Sequence, residues 1–287
     1  MSNKPFFSVI IATYNAEIFI GRALESVIQQ GVFNKNVELI VIDGKSTDST
    51  VDIIKKYNKY ISYYVSEEDS GIYDAYNKGL QKANGEYVYF LGADDWLYAR
   101  NVLGLIMNII KQNFPDVLSC PVCVVDEKLQ LYKTSGGRVD LENLKKCIIM
   151  PPHQGMFMKT STLKNNNYKF DTTYKLMADA KLFYDMIAVG DYKYYDVVVA
   201  NFNNTGASSN NYFEMNDECH RLFCEKISRN NKYYFVEFLR YHTRHIRYML
   251  RILKDALFKL VGLKIKQKIS SGWNPIMDGK YSPRSRL

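Results

Sequence analysis

Four short apolar runs, each closing on polar or acidic residues, leave this chain few ways to fold. They read "FFSVIIATYN" from Phe6, "VELIVIDG" from Val37, "ISYYVSE" from Ile61 and "EYVYFLGADD" from Glu86. Runs without polar alternation suit strands covered on both faces, as in a parallel sheet. Between them lie stretches with helical spacing. "AEIFIGRALESVIQQ" places Ile20, Leu24, Val27 and Ile28 on one side. "STDSTVDIIKKYNKY" carries Ser46 or Thr47 as a cap, and "GIYDAYNKGLQKA" closes at Gly85. Three strand–helix alternations in about the first hundred residues predict an α/β fold with a mostly parallel central sheet and helices on both faces.

Beyond residue 100 the pattern loosens. "NVLGLIMNIIKQN" predicts a helix, and "DVLSCPVCVV" and "LQLYKTSGG" predict two strands. "PPHQGMFMK" turns into another strand, "MADAKLFYDMIAVG" is a helix, and "YKYYDVVVANFN" is a strand followed by the polar loop "NTGASS" at 204–209. From about residue 213 the chain turns helical and basic. The expected division is a domain at 1–212, with halves at 1–100 and 101–212, followed by an extension at 213–287.

The formal charge of +8 is concentrated in one stretch. Residues 240–268 hold nine of the 38 Lys/Arg and one of the 30 Asp/Glu, leaving the remainder balanced at 29 of each. At 100° per residue, Arg240, Arg244, Arg247, Arg251 and Lys254 share one line. Ile246, Met249, Leu250, Leu253, Leu257 and Leu260 lie opposite. Such a helix suits a membrane interface with anionic headgroups. The alternatives are packing of its apolar face on the domain and self-association into a homo-oligomer. It carries no nucleic-acid reader motif. No run of eighteen uncharged apolar residues predicts a spanning helix. No signal peptide is recognisable, so the expected location is cytoplasmic, peripheral on the inner face of the plasma membrane if the basic helix docks there. Cys120 and Cys123 form a lone CxxC; with five cysteines lacking framework spacing, buried thiols are expected rather than zinc.

Asp94 and Asp95 end the fourth predicted strand. Ligands of open parallel sheets collect at the carboxyl ends of strands. Adjacent acids there are costly without a cation, and Mg²⁺ or Mn²⁺ with oxygen ligands supplies one. A helix cap is the plainer reading of the pair alone.

Taken together, "SVIIATYN", "VIDGKSTDST", "SEEDSGIYDAYNKGLQKANGEYVYFLGADD", "PHQGMF" and "MADAKLF" resemble the family 2 glycosyltransferases of the GT-A fold, of the bacterial surface-polysaccharide type. The likeness runs over roughly residues 6–210. It implies an inverting, metal-dependent transfer of a hexose or N-acetylhexosamine from a nucleotide sugar, UDP-linked, to a glycan or polyprenyl-diphosphate-linked acceptor. By the resemblance Asp95 binds the metal, and Asp94 contacts ribose or completes the metal shell. Thr13, Tyr14 and Asn15 line the nucleoside pocket, and Asp43 accepts from uracil. Gly44 stands where the family commonly has a second acid. Tyr76 stands where many relatives have an arginine facing the diphosphate; Lys78 is the substitute cation or a solvated lysine. Asp74 is a donor-side or structural contact. His153 and Gln154 lie near acceptor and diphosphate, with His153 on metal or phosphate. Asp179 is the catalytic base, Asp171 the runner-up, and Asp185 a control off that face. A nucleotidylyltransferase would want a glycine- and lysine-rich loop where this chain has "TYNAEIFIGR". A non-catalytic membrane- or nucleic-acid-binding module is the alternative outside enzymes.

Overall fold

The computed structural model describes residues 4–126, 131–139, 150–203, 211–226 and most of 239–253. The expected loop at 204–209 and the basic residues from 254 onward lie outside them.

The first half alternates as the apolar runs demand. Strand β1 (Phe7–Thr13) leads to α1 (Ile20–Ile28), the single turn α2 (Phe33–Asn36), β2 (Val37–Asp43) and α3 (Thr50–Lys56). Strand β3 (Tyr63–Ser66), α4 (Ile72–Lys82) and β4 (Tyr87–Gly92) follow. The second half runs β5 (Trp96–Leu97), α5 (Val102–Asn113), β6 (Val117–Ser119), β7 (Val122–Asp126) and β8 (Leu131–Ser135). It continues with β9 (Met156–Lys159), α6 (Thr160–Asn165), α7 (Ala178–Val189), β10 (Tyr192–Tyr194), β11 (Ala200–Asn203) and α8 (Tyr212–Lys226).

Seven strands make the main sheet in the order β10-β6-β9-β4-β1-β2-β3. All neighbouring pairs are parallel except those of β9, which runs antiparallel to both β4 and β6. This is the GT-A arrangement. Every residue of β1 is buried, because helices cover both faces. Val9 and Ile11 face one core with Leu24 of α1 and Ile106 of α5. Ile10 and Ala12 face the other, with Tyr76 of α4, Phe183 of α7 and Leu222 of α8. Truncating such a buried isoleucine to alanine costs about 2–5 kcal/mol.

Two expected strands are broken in the structure. "DVLSCPVCVV" divides into β6 and β7 at Pro121, which has no N–H to continue a ladder. "YKYYDVVVANFN" divides into β10 on the main sheet and β11 on a second sheet of order β5-β11-β7-β8. The chain changes sheets between them. Neither Ser46 nor Thr47 caps α3: the Asp48 carboxylate accepts from Thr50 N–H instead (3.0 Å). The Ser46 hydroxyl turns to Asp43.

The register aligns the strand ends. Thr13 pairs with Asp43, Asp43 with Ser66, and Ala12 with Gly92. The polar residues that close β1 to β4 therefore share one edge of the sheet.

Candidate active site

Asp95 is 1% exposed, directly past β4. Its Oδ1 accepts from Asn203 N–H of β11 (2.9 Å), and its Oδ2 from the Gln154 side-chain amide (2.8 Å). The second sheet thus anchors Asp95 from one side and the 153–155 turn from the other. Gly92 allows the two acids to fold back over β4. A Cβ on Gly92 would lie 2.6 Å from Asp95 Oδ2 and 3.0 Å from Asp94 Oδ1. Burial and the Asp94 charge push the Asp95 carboxyl up to about 7. Burial raises Asp94 too, despite the nearby charges of His153 and Arg22. Arg22 of α1 is held against this edge by the Trp96 ring, 3.6 Å from its centroid.

The 3-10 turn His153–Gly155 packs against β4. Tyr89 OH donates to the Gln154 carbonyl (2.7 Å), and Gly155 lies so close to β6 that a Cβ would meet Cys120 O at 2.1 Å. Only glycine permits that approach. The turn sends Gln154 to Asp95 and His153 to Asp179 of α7, with Nδ1 3.2 Å from Asp179 Oδ2. Burial disfavours a charged His153, but the Asp179 hydrogen bond and the charges of Asp179, Asp95 and Asp94 outweigh it and raise its pKa. His153 Nε2 is buried and has no hydrogen-bond partner among the described residues.

Asp179 sits in the first turn of α7 and is 7% exposed. Its Oδ1 accepts from Tyr73 OH of α4 (3.1 Å). Three residues on, Tyr76 is fully buried, and its hydroxyl has no hydrogen-bond partner among the described residues. Burial, reinforced by Asp95, Asp94 and Asp179, holds its phenol well above the ordinary value. Burial and Asp179 do the same for Tyr73. Both therefore remain hydroxyl donors. The sequence reading missed Tyr73, which looks like core on an amphipathic helix. The available signal was two tyrosines at i, i+3, since buried phenols usually need polar partners.

The runner-up Asp171 and the control Asp185 are engaged elsewhere. Asp171 accepts from Thr173 N–H (3.0 Å) and Thr173 Oγ1 (2.7 Å). Those bonds, with Lys181 and Arg221 nearby, override its burial and lower its pKa. Asp185 pairs with Lys181 at 3.2 Å and with Lys226.

On the β1–β2 side, Thr13 Oγ1 is buried without a partner among the described residues, while Tyr14 is 63% exposed. Asn15 is left-handed (φ 46°), and its Oδ1 accepts from Thr47 N–H (2.9 Å). Asp43 is fully buried. It accepts from Ser46 N–H (3.0 Å), Ser46 Oγ and Ser66 Oγ (2.6 Å), so protein donors take most of its capacity. Gly44 leaves room for the Asp69 carboxylate, 2.7 Å from where a Cβ would stand. Asp74 accepts from Ser70 N–H (3.1 Å) at the start of α4. Lys78 donates to the Glu67 carboxylate (2.9 Å) and the Glu68 backbone carbonyl (2.8 Å), so its ammonium already has an anionic and a neutral partner.

The family described as Glycosyl transferase family 2 matches residues 8–182. The chain is a family 2 glycosyltransferase. Among its relatives is a PGL/p-HBAD biosynthesis glycosyltransferase of Mycobacterium bovis, 31% identical over 216 residues, covering 72% of this chain and 80% of that protein. A poly(ribitol-phosphate) beta-glucosyltransferase of Bacillus spizizenii is 30% identical over 205 residues, covering 67% of this glycosyltransferase and 32% of the relative. The crystal structure of S. aureus TarS in complex with UDP superposes with a TM-score of 0.64 at 21% identity, covering 84% of this chain and 72% of that one.

A divalent cation fits the donor set beside β4. Two carboxylates drawn together over Gly92, with raised pKa values, are what a hard cation would relieve. Among the described residues no three His, Cys, Asp or Glu side chains form a metal-holding group.

Proposed function

We propose that this glycosyltransferase moves a hexosyl or N-acetylhexosaminyl group from a UDP-sugar to a glycan acceptor, inverting the anomeric carbon, in surface-polysaccharide synthesis. The observation that carries this reading is the convergence of Asp94 and Asp95 with the His153–Asp179–Tyr73 hydrogen-bonded set. The relatives' names, a PGL/p-HBAD biosynthesis glycosyltransferase and a poly(ribitol-phosphate) beta-glucosyltransferase, support the substrate class. The TarS structure with UDP supports the nucleotide.

In this reading Asp94 and Asp95 hold a Mn²⁺ or Mg²⁺ ion. When bound, that ion supplies positive charge to the leaving diphosphate. Thr13, Tyr14 and Asn15 border the nucleoside. Tyr76 OH is a buried donor with unspent capacity, and His153 Nε2 becomes one when the ring is charged, the state its raised pKa favours; both suit diphosphate oxygens. The acceptor oxygen bonds to the anomeric carbon as the bond to the diphosphate breaks, its electron pair leaving with UDP. The acceptor proton passes to Asp179. The acceptor is lipid-linked, and the basic helix past residue 239 brings the enzyme to the membrane that carries it.

A screen of nucleotide sugars, with the anomeric configuration of the product read by NMR, tests the proposal. Transfer from a UDP-sugar with inversion, lost in Asp179→Asn, is expected. A retained configuration, or wild-type transfer by Asp179→Asn, contradicts it.

A further inference from the structure

Helix α7 starts with no side-chain cap of its own: Met177 is its N-cap residue and makes no such bond. The N–H groups that open a helix need partners, and burying them without any is costly. Here a residue some forty positions later takes up the N–H of the N-cap Met177 and of the two residues before it. Glu218 of α8 is 8% exposed. Its Oε1 accepts from Lys175 N–H (2.7 Å), and its Oε2 from Leu176 N–H (2.9 Å) and Met177 N–H (3.0 Å). Three consecutive backbone donors thus converge on one carboxylate, two residues before Asp179.

Other side chains of α8 hold the same segment. Glu214 pairs with Lys175 at 2.9 Å. Arg221 donates to the Thr173 carbonyl (3.0 Å) and hydroxyl (3.2 Å), and its guanidinium lies 3.5 Å from the Tyr174 ring centroid. Leu222 is fully buried in the core that contains Tyr174 and Phe183. The segment 173–177 is therefore strapped to α8 along its length, while Asp179 at its end meets Tyr73 and His153.

We infer that Glu218 is a positioning residue for Asp179, and that α8 thereby belongs to the catalytic unit. The inference rests on the reading of Asp179 as the base. Charge-assisted hydrogen bonds are the stronger ones, and an ångström of misplacement at a reacting group can cost a hundredfold in rate. The Glu218 carboxylate reaches residues 175–177, away from β1, β2 and β4 that border the nucleoside, so it acts on the rate of transfer.

The test compares Glu218→Ala, Glu218→Gln and Asp179→Asn in the full chain. UDP titration counts the competent sites in each preparation, and transfer kinetics are expressed per competent site. Expected are unchanged UDP affinity and donor KM in both Glu218 variants. The kcat of Glu218→Ala falls about 10- to 100-fold. Glu218→Gln, which keeps one acceptor oxygen, lies between it and wild type. Wild-type kcat per site in both Glu218 variants, with Asp179→Asn inactive, overturns the inference alone. A loss of UDP affinity in Glu218→Gln also overturns it, because the residue then holds the fold at large. Wild-type transfer by Asp179→Asn overturns the base reading, and the inference with it.

Discussion

His153 and Asp179 meet at 3.2 Å through Nδ1 and Oδ2, leaving the second ring nitrogen buried without a partner among the described residues. A carboxylate on one nitrogen fixes the orientation of the ring and the proton on that side. The second nitrogen carries a proton only when the ring is charged, the state its raised pKa favours, and in the proposed reaction it then donates to the diphosphate.

Tyr73 donates to the other oxygen of Asp179, so the two carboxylate oxygens are held by different elements of the fold. Tyr73→Phe removes that donor. The expected fall in kcat is smaller than tenfold, about 1 kcal/mol, with UDP affinity unchanged. Wild-type kcat in Tyr73→Phe, or a loss of UDP affinity, shows that Tyr73 does not act through Asp179.

Asp95 makes the metal-free protein pH-sensitive. Its carboxyl is raised from 3.8 to about 7 by burial and by Asp94, so between those values the folded state binds the proton more tightly than the unfolded state. This contribution to stability is fully present below about pH 4 and is lost as pH rises through about 7. In chelator, urea unfolding should show stability falling over that window, by an amount on the order of a few kcal/mol. Asp95→Asn should flatten the fall, since Gln154 can turn its amide to meet the new side chain. Equal slopes for the two proteins contradict the buried-pair account.

The helical residues between 239 and 253 turn their apolar side outward. Leu239, Ile246, Met249, Leu250 and Leu253 are each at least half exposed, whereas Tyr241 OH donates to Asp217 (2.8 Å) and Arg244 to Asn216 (3.3 Å) on α8. Among the described residues that apolar face is not packed on the domain; Leu257 and Leu260 lie outside them. Among the described residues no helix is long and apolar enough to cross a membrane. The face and its basic flank fit an interfacial helix. Co-sedimentation with vesicles containing anionic lipid should fall with added salt, and fall further in Arg240→Glu/Arg247→Glu, with UDP affinity unchanged. Vesicle binding that is indifferent to both contradicts membrane docking.

The first half of the fold was legible because β1, β2 and β4 have both or nearly both faces buried, and uninterrupted apolar runs report that directly. The switch of sheets between β10 and β11 was not. "YKYYDVVVANFN" has one local preference throughout, and only tertiary pairing with β6 and β7 divides it. In the same way, adjacent acids at a strand end announce themselves, and the turn before Gly155 is marked by two prolines. Tyr73 and Glu218 do not. A tyrosine on an amphipathic helix reads as core, and a glutamate on a polar face reads as solvated. Their partners, 106 and 41–43 residues away, exist only once the fold has formed.

The account depends most on a divalent cation gripping the donor's diphosphate at Asp94 and Asp95. Calorimetric titration of UDP with Mn²⁺ and with chelator, in wild type and in Asp95→Ala, measures this directly. The expected result is UDP binding that Mn²⁺ strengthens at least about tenfold in wild type, roughly 1.4 kcal/mol, and fails to strengthen in Asp95→Ala. Equal UDP affinity with and without metal, or a Mn²⁺ effect that survives Asp95→Ala, contradicts it.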